Sequence, residues 1–327
     1  MQRLIKRAKE LIKSGEVTRV LGWKMGDLGY NPEPFVFKSE EDLNDFVYDG
    51  FSGANLSKFM IEASKEEGKT LVFLKPCDTY SFNQLIKENR VIREKAYIIG
   101  VGCKGKLDIE KIKAKGITGI TKVEGCEEFS ENDELKITTL YGDEKASYKE
   151  TLLGRCYMCK GKEHRIYDEV IGESMDTKTS ERFSEVEKIE AMTPEERFAF
   201  FKSELSKCIR CNACRNVCPA CSCRKCVFDS EKFDSSQKAN SDSFEEKMFH
   251  IIRSFHVAGR CTDCGECSRV CPQGIPLYLF NKKFIKDIDT YYGEYNAGEN
   301  IEDEAPLTSF TFDDLEPGER MLYSKSV

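Results

Sequence analysis

Apolar positions in the opening segment, MQRLIKRAKELIKSG, recur at helical spacing. Leu4, Ala8 and Leu11 share one face, Lys and Arg take the other, and Gly15 supplies a stop. From there to about residue 122 the pattern alternates between short runs rich in Val, Ile and Phe and amphipathic segments. Strands are predicted over 17–23, 70–75 and 96–103, and helices over 53–64, 81–89 and 109–115. Strands separated by helices imply βαβ units, so the expected fold class is α/β with a mainly parallel sheet.

Between 123 and 180 the chain is polar and irregular, with one short strand candidate at 135–140. Thr193, Pro194 and Glu196 then combine a cap residue, a first-turn proline and a capping-box glutamate, and the helix they start runs to about residue 207. Two further helices are expected at 244–257, ending before Gly259, and at 276–291. The stretch 229–243, rich in Ser, Asp and Lys, reads as a solvated linker, and 297–320 as an acidic, solvated tail.

Composition narrows the classes. The chain has 327 residues, 40% hydrophobic and 33% charged, which suits two globular domains and excludes a collagen-like or wholly disordered polymer. No apolar run approaches the roughly 20 residues of a membrane helix, and no export signal opens the chain, so it is read as cytoplasmic without a membrane span. A net charge of −7 opposes sequence-independent binding to nucleic acid. Sixteen cysteines in a reducing compartment point to metal ligation rather than disulfides.

Cys208, Cys211, Cys214 and Cys218, followed by Pro219, spell C-x2-C-x2-C-x3-C-P. Cys261, Cys264, Cys267 and Cys271, followed by Pro272, repeat it. Three thiolates two residues apart can each reach a different iron of one cubane, whereas the fourth is carried away by the turn before proline and ligates the other run's cluster. The expected sites are therefore one [4Fe-4S] cluster on Cys208, Cys211, Cys214 and Cys271, and a second on Cys218, Cys261, Cys264 and Cys267. Zinc would use four of these thiols and leave the third of each triplet without a role. The domain organisation expected is an α/β domain over 1–190, a 2[4Fe-4S] ferredoxin-like (α+β) domain over 191–295 and the acidic tail over 296–327.

Another set lies in the first half. Cys77 follows the strand TLVFLK and Cys103 ends AYIIGVGC, so both lie at carboxyl ends of neighbouring strands, where open α/β sheets place ligands. Cys156 and Cys159 supply a further pair. Either the four close a third cluster, or Cys77 and Cys103 are small buried hydrophobes and the pair is incidental or binds zinc. Cys221, Cys223, Cys226 and Cys126 exceed the ferredoxin requirement; they bind a further metal, shield the clusters or stay as thiols. Arg210, Arg215, Arg224, Arg260 and Arg269 flank the cysteines and either lie close enough to favour reduced clusters or face solvent. His164, His250 and His256 form no catalytic pattern, and packing or surface exposure is the default for the latter two. No phosphate loop, nucleophile elbow or dinucleotide fingerprint occurs.

The stretches LKPCDTYSFNQLIKENRVIREKAYIIGVGCKG and LLGRCYMCKGKEHRIYDEVIGES resemble the beta subunits of coenzyme F-420 reducing hydrogenases and formate dehydrogenases. KCIRCNACRNVCPACSCRKC and FHVAGRCTDCGECSRVCPQGIPL resemble ferredoxin-like segments found beside heterodisulfide-reductase-like subunits. The resemblance covers roughly residues 70–290. It implies that Cys77, Cys103, Cys156 and Cys159 are cluster ligands and that a flavin, FAD or FMN, binds the first domain, although no residue string is assignable to the flavin. The expected function is an electron-transfer subunit of an anaerobic oxidoreductase complex, a hydrogenase, formate dehydrogenase or heterodisulfide-reductase-like assembly, with its other subunits or a ferredoxin as partners. The alternatives are a self-sufficient flavin-dependent dehydrogenase acting on a nicotinamide or deazaflavin coenzyme, and a non-redox zinc-binding interaction protein.

Overall fold

The computed structural model describes residues 1–124, 134–174, 181–229 and 243–307. The expected linker, Cys126 and most of the acidic tail lie outside them. The chain divides into two compact units, Met1–Arg182 and Phe183–Val327.

The first unit opens with helix α1 (Gln2–Lys13), which buries Leu4, Ala8 and Leu11. Each leucine contributes roughly 1.5–3 kcal/mol. Gly15, at φ +75°, ends the helix as expected. The main sheet contains β1 (Arg19–Met25), β2 (Pro32–Phe37), β3 (Thr70–Leu74), β4 (Ala96–Val101) and β8 (Glu169–Ile171), in the order β2-β1-β3-β4-β8. Only β2 runs antiparallel; β1, β3, β4 and β8 are parallel neighbours. Every residue of β3 is buried, as the two-sided cover of a parallel sheet requires. The mainly parallel α/β fold read from the sequence is the one observed.

One strand was not foreseen, and two helices depart from their expected bounds. The segment PEPFVF forms β2, at the sheet edge, where its prolines need donate nothing to a neighbour. The helix expected over 53–64 is reduced to a 3-10 turn, Leu56–Phe59, and one helical turn, Met60–Ala63. Ala54 is held outside it because its carbonyl accepts from Trp23 Nε1 at 3.3 Å and Lys75 Nζ at 2.7 Å. The helix expected from 81 starts earlier, as α2 (Pro76–Lys87), with Pro76 in the first turn and Lys75 N donating to Asp78 Oδ2 at 3.4 Å. Cys77 therefore sits in a helical first turn directly after β3.

Helix α3 (Ile109–Lys113) follows, and the region read as irregular then folds into an antiparallel meander of β5 (Ile120–Glu124), β6 (Glu134–Thr139) and β7 (Gly142–Ser147). Only β6 alternates apolar and polar residues; β7, GDEKAS, is exposed over most of its length and carries no pattern to read.

In the second unit the main helices are α4 (Ser184–Glu190), α5 (Pro194–Leu205), α6 (Ser243–Val257) and α7 (Tyr278–Tyr292). The capping box at the start of α5 is present: Thr193 N donates to Glu196 Oε2 at 2.9 Å, and Glu196 N to Thr193 Oγ1 at 3.3 Å. α7 begins at Tyr278, two residues later than expected, where its backbone N–H finds Ser268 Oγ at 2.9 Å. Cys208, Cys214, Cys267 and Cys271 pack with Leu205, Phe249 and Ile275 in one apolar cluster, so the cysteines form part of this unit's core. Among the described residues no helix is long and apolar enough to cross a membrane.

Candidate metal centres

In the first unit, β3 and β4 run in parallel register, with Leu74 opposite Gly100, so both strands deliver their next residues to one edge of the sheet. Cys77 lies in the first turn of α2 and Cys103 two residues beyond β4. Gly102 is required between them and the neighbouring strand, because a Cβ there would stand 2.4 Å from Glu173 O. Cys103 N donates to Ser174 Oγ at 3.1 Å, and Tyr48 Oη donates to Gly102 O at 2.7 Å.

Cys156 lies on the short turn Gly154–Tyr157, whose Arg155 Nη2 donates to Gly53 O at 2.8 Å, and Cys159 two residues beyond it. Lys162 ties the set together. Its Nζ is 3.6 Å from Cys103 Sγ. Burial disfavours its charge, but the thiolates of Cys103, Cys159, Cys156 and Cys77 outweigh that and hold its pKa above the ordinary lysine value. All four thiols are thus within electrostatic reach of one ammonium. Burial raises Cys159, with Lys162 opposing. Cys103 is lowered, because Lys162 and Lys106 overcome its burial.

Next to Cys103 in sequence, Gly102 and Lys104 border a cavity of about 180 Å³ together with Tyr48, Asp49, Lys106, Tyr148 and Glu173. Lys106 Nζ donates to Asp49 O at 2.6 Å and lies 3.9 Å from the centre of the Tyr48 ring. Burial brings Lys106 down to about 8. His164 binds into the sheet instead, with Nε2 3.2 Å from Val101 O.

In the second unit the two cysteine runs share an unusual backbone. Arg210 (φ +54°) and Asn212 (φ +60°) flank Cys211, and Asp263 (φ +56°) and Gly265 (φ +63°) flank Cys264. Left-handed residues that are not glycine are strained, and their repetition at equivalent places marks a functional constraint. Alternating left- and right-handed residues turn successive N–H groups into a concave nest suited to an anion such as a sulfide-rich cluster. Each nest opens into a short helical turn, Ala213–Asn216 or Glu266–Arg269, that carries the third cysteine of its run.

The neighbourhoods of the sulfurs cross between runs. Burial pushes Cys214 up to about 12, Arg253 opposes, and Cys267, Cys208 and Cys271 add to the rise. Cys261 is raised by burial and then by Cys264 and Cys218. A hydrogen bond with Cys221 brings Cys218 down to about 6 against its burial. Among the described residues no three His, Cys, Asp or Glu side chains close on a point as a single metal ion requires.

Several polar groups approach these sulfurs, of which Asn281 was not singled out from the sequence. His250, 1% exposed, places Nε2 3.3 Å from Cys208 Sγ. Burial, with Arg253 and Arg210 nearby, takes its pKa down to about 3. His250 is packed and His256 exposed, the two default expectations, and His250 in addition approaches a cysteine sulfur. Arg210 N donates to Cys208 Sγ at 3.4 Å, and Asn281 Nδ2 to Cys267 Sγ at 3.8 Å. Of the flanking arginines, Arg210 is buried with its guanidinium 4.1 Å from the Phe249 ring, Arg269 pairs with buried Glu266, Arg215 pairs with Asp229, and Arg224 is exposed. A helical period would place His250 and Arg253 on one face of α6, the only sequence-level sign of their pairing.

A parallel α/β unit with thiols at its strand ends, joined to a unit whose core is cysteine, defines an iron-sulfur electron-transfer protein of the oxidoreductase-subunit class. The family described as the 4Fe-4S dicluster domain matches residues 204–275. The chain is similar to the beta subunits of F420-dependent formate dehydrogenases. It is 25% identical to the F420-dependent formate dehydrogenase subunit beta of Methanocaldococcus jannaschii, over 86% of this chain and 88% of that one. It is 26% identical to the F420-dependent formate dehydrogenase 1 subunit beta of Methanococcus maripaludis, over 91% and 90%. Among solved structures, a chain of the xenon-derivatised F420-reducing [NiFe] hydrogenase complex of Methanosarcina barkeri aligns with a TM-score of 0.41 and 16% identity, covering 62% of this chain and 84% of that one.

Proposed function

We propose that this chain relays single electrons as the beta-type subunit of a larger oxidoreductase, a formate dehydrogenase or hydrogenase complex, with the other subunits or a ferredoxin as partners. Two [4Fe-4S] clusters occupy the second unit, one on Cys208, Cys211, Cys214 and Cys271, the other on Cys218, Cys261, Cys264 and Cys267. The observation that carries this reading is the crossing: Cys214 feels Cys271 of the other run as well as Cys208 of its own, with Cys267 also near, and Cys261 feels Cys218. The left-handed nests and the hydrogen bonds to sulfur fit an anionic, sulfide-rich guest. When bound, such clusters supply one-electron redox chemistry at potentials set by burial, hydrogen bonds and charge, within about −700 to +450 mV.

A third cluster on Cys77, Cys103, Cys156 and Cys159 is supported by their shared reach to Lys162. The cavity beside Cys103 supplies tyrosine walls and cationic lysines, the setting a flavin, FAD or FMN, would use next to a cluster. That cavity also favours a second reading, a flavin-dependent dehydrogenase active without partners on a deazaflavin or nicotinamide coenzyme.

Anaerobic purification with quantified iron, acid-labile sulfide and flavin tests the reading. About eight irons per chain support two clusters and about twelve support three. Colourless protein holding only zinc refutes it, and turnover of the isolated, flavin-loaded chain favours the second reading.

A further inference from the structure

Arg253, on α6, is 2% exposed. Its Nη2 donates to Cys214 O at 3.4 Å, and its Nε is buried without a hydrogen-bond partner. Among the described residues no carboxylate pairs with it. The Arg253 side chain also hydrogen-bonds Cys267. A guanidinium withdrawn from water without a counter-ion costs several kcal/mol, so the position makes sense only beside a strong buried anion. Cys214 is assigned to one cluster and Cys267 to the other, so this cation contacts ligands of both.

We propose that Arg253 is a shared counter-ion for the two clusters of the second unit, a positioning residue that raises both of their reduction potentials. The inference rests on the two-cluster reading above. A cubane with four thiolate ligands is anionic in either oxidation state and more so when reduced, so a fixed positive charge favours the reduced form. An electron moving between the clusters oxidises one and reduces the other while the guanidinium stays beside both. The pair then keeps one electrostatic environment through the transfer, and no proton has to move with the electron. His250 differs because its bond reaches a ligand of a single cluster.

The test is an EPR-monitored redox titration of anaerobically purified full-length Arg253→Met, Arg253→Lys and wild-type protein, with iron and sulfide counted on the same samples. In Arg253→Met both clusters are expected to become harder to reduce, each by at least tenfold in the equilibrium constant, about 59 mV for one electron. In Arg253→Lys, which keeps the charge, both potentials are expected to stay near wild type. A shift confined to one cluster, no shift, or an equal fall in the Lys variant overturns the proposal. Should Arg253→Met lose its clusters, Arg253→Lys decides alone: two clusters at near-wild-type potentials uphold the charge, and lost or displaced clusters overturn it. Wild-type protein lacking the two clusters would instead sink the reading on which the inference rests.

Discussion

Replacing His250 by leucine isolates one hydrogen bond at one sulfur. The imidazole is buried, and its Nε2 lies 3.3 Å from Cys208 Sγ. A ligating thiolate has no hydrogen to give, so in the cluster-bound protein this nitrogen must donate. A hydrogen bond to a charged group contributes about 1.5–3 kcal/mol, and it strengthens when the cluster gains an electron. If about 1 kcal/mol of that is the difference between oxidation states, and 1.4 kcal/mol corresponds to tenfold or 59 mV for one electron, the loss lowers the potential by about 40 mV. Arg210 N still donates to the same sulfur at 3.4 Å, so the cluster should be retained. The assay is an EPR-monitored titration resolving the two clusters of the second unit, with the potential assigned to Cys208, Cys211, Cys214 and Cys271 moving negative and the other staying in place. An unchanged potential with full iron content, or a shift in the other cluster alone, would refute the reasoning.

Crossed ligation makes iron loss non-additive: Cys271→Ala should remove about four irons, Cys208→Ala combined with Cys271→Ala no more, and Cys261→Ala combined with Cys271→Ala about eight. Additive loss in the first pair would show that Cys271 serves its own run. The double change Cys156→Ser, Cys159→Ser should lower iron by about four per chain while leaving the signals of the other clusters intact; unchanged iron contradicts a third cluster. Gly102→Ala forces a Cβ to 2.4 Å from the Glu173 carbonyl oxygen, so the two backbones must separate and drag Cys103 with them. It should cost about 1–3 kcal/mol of thermal stability and loosen iron in the first unit, and an unperturbed melting midpoint would count against that packing.

How much was legible in the sequence depends on how local the information is. α1, β3, β4 and α5 were readable because each carries its own signal: a helical apolar face, a fully buried apolar run, or the Thr193, Pro194 and Glu196 cap. β2 and β7 were not, since a proline-bearing edge and a strand with one apolar residue, Ala146, show no alternation, and only pairing with β1 and β6 makes them strands. The helix expected over 53–64 failed because Trp23 and Lys75, distant in sequence, hold the carbonyl of Ala54.

The same division separates the chemistry. Ligand type and the repeated spacing of the cysteine runs are covalent properties of the chain, so the sequence alone established iron-sulfur chemistry and a mainly parallel α/β partner unit. Which sulfur neighbours which, the gathering of four thiols around Lys162, and the burial of His250 and Arg253 against cysteines were decided only by tertiary structure. Those relations arise when segments far apart in sequence are packed away from water. There a charge or hydrogen bond weakened by solvent in the unfolded chain acquires the strength to set a potential.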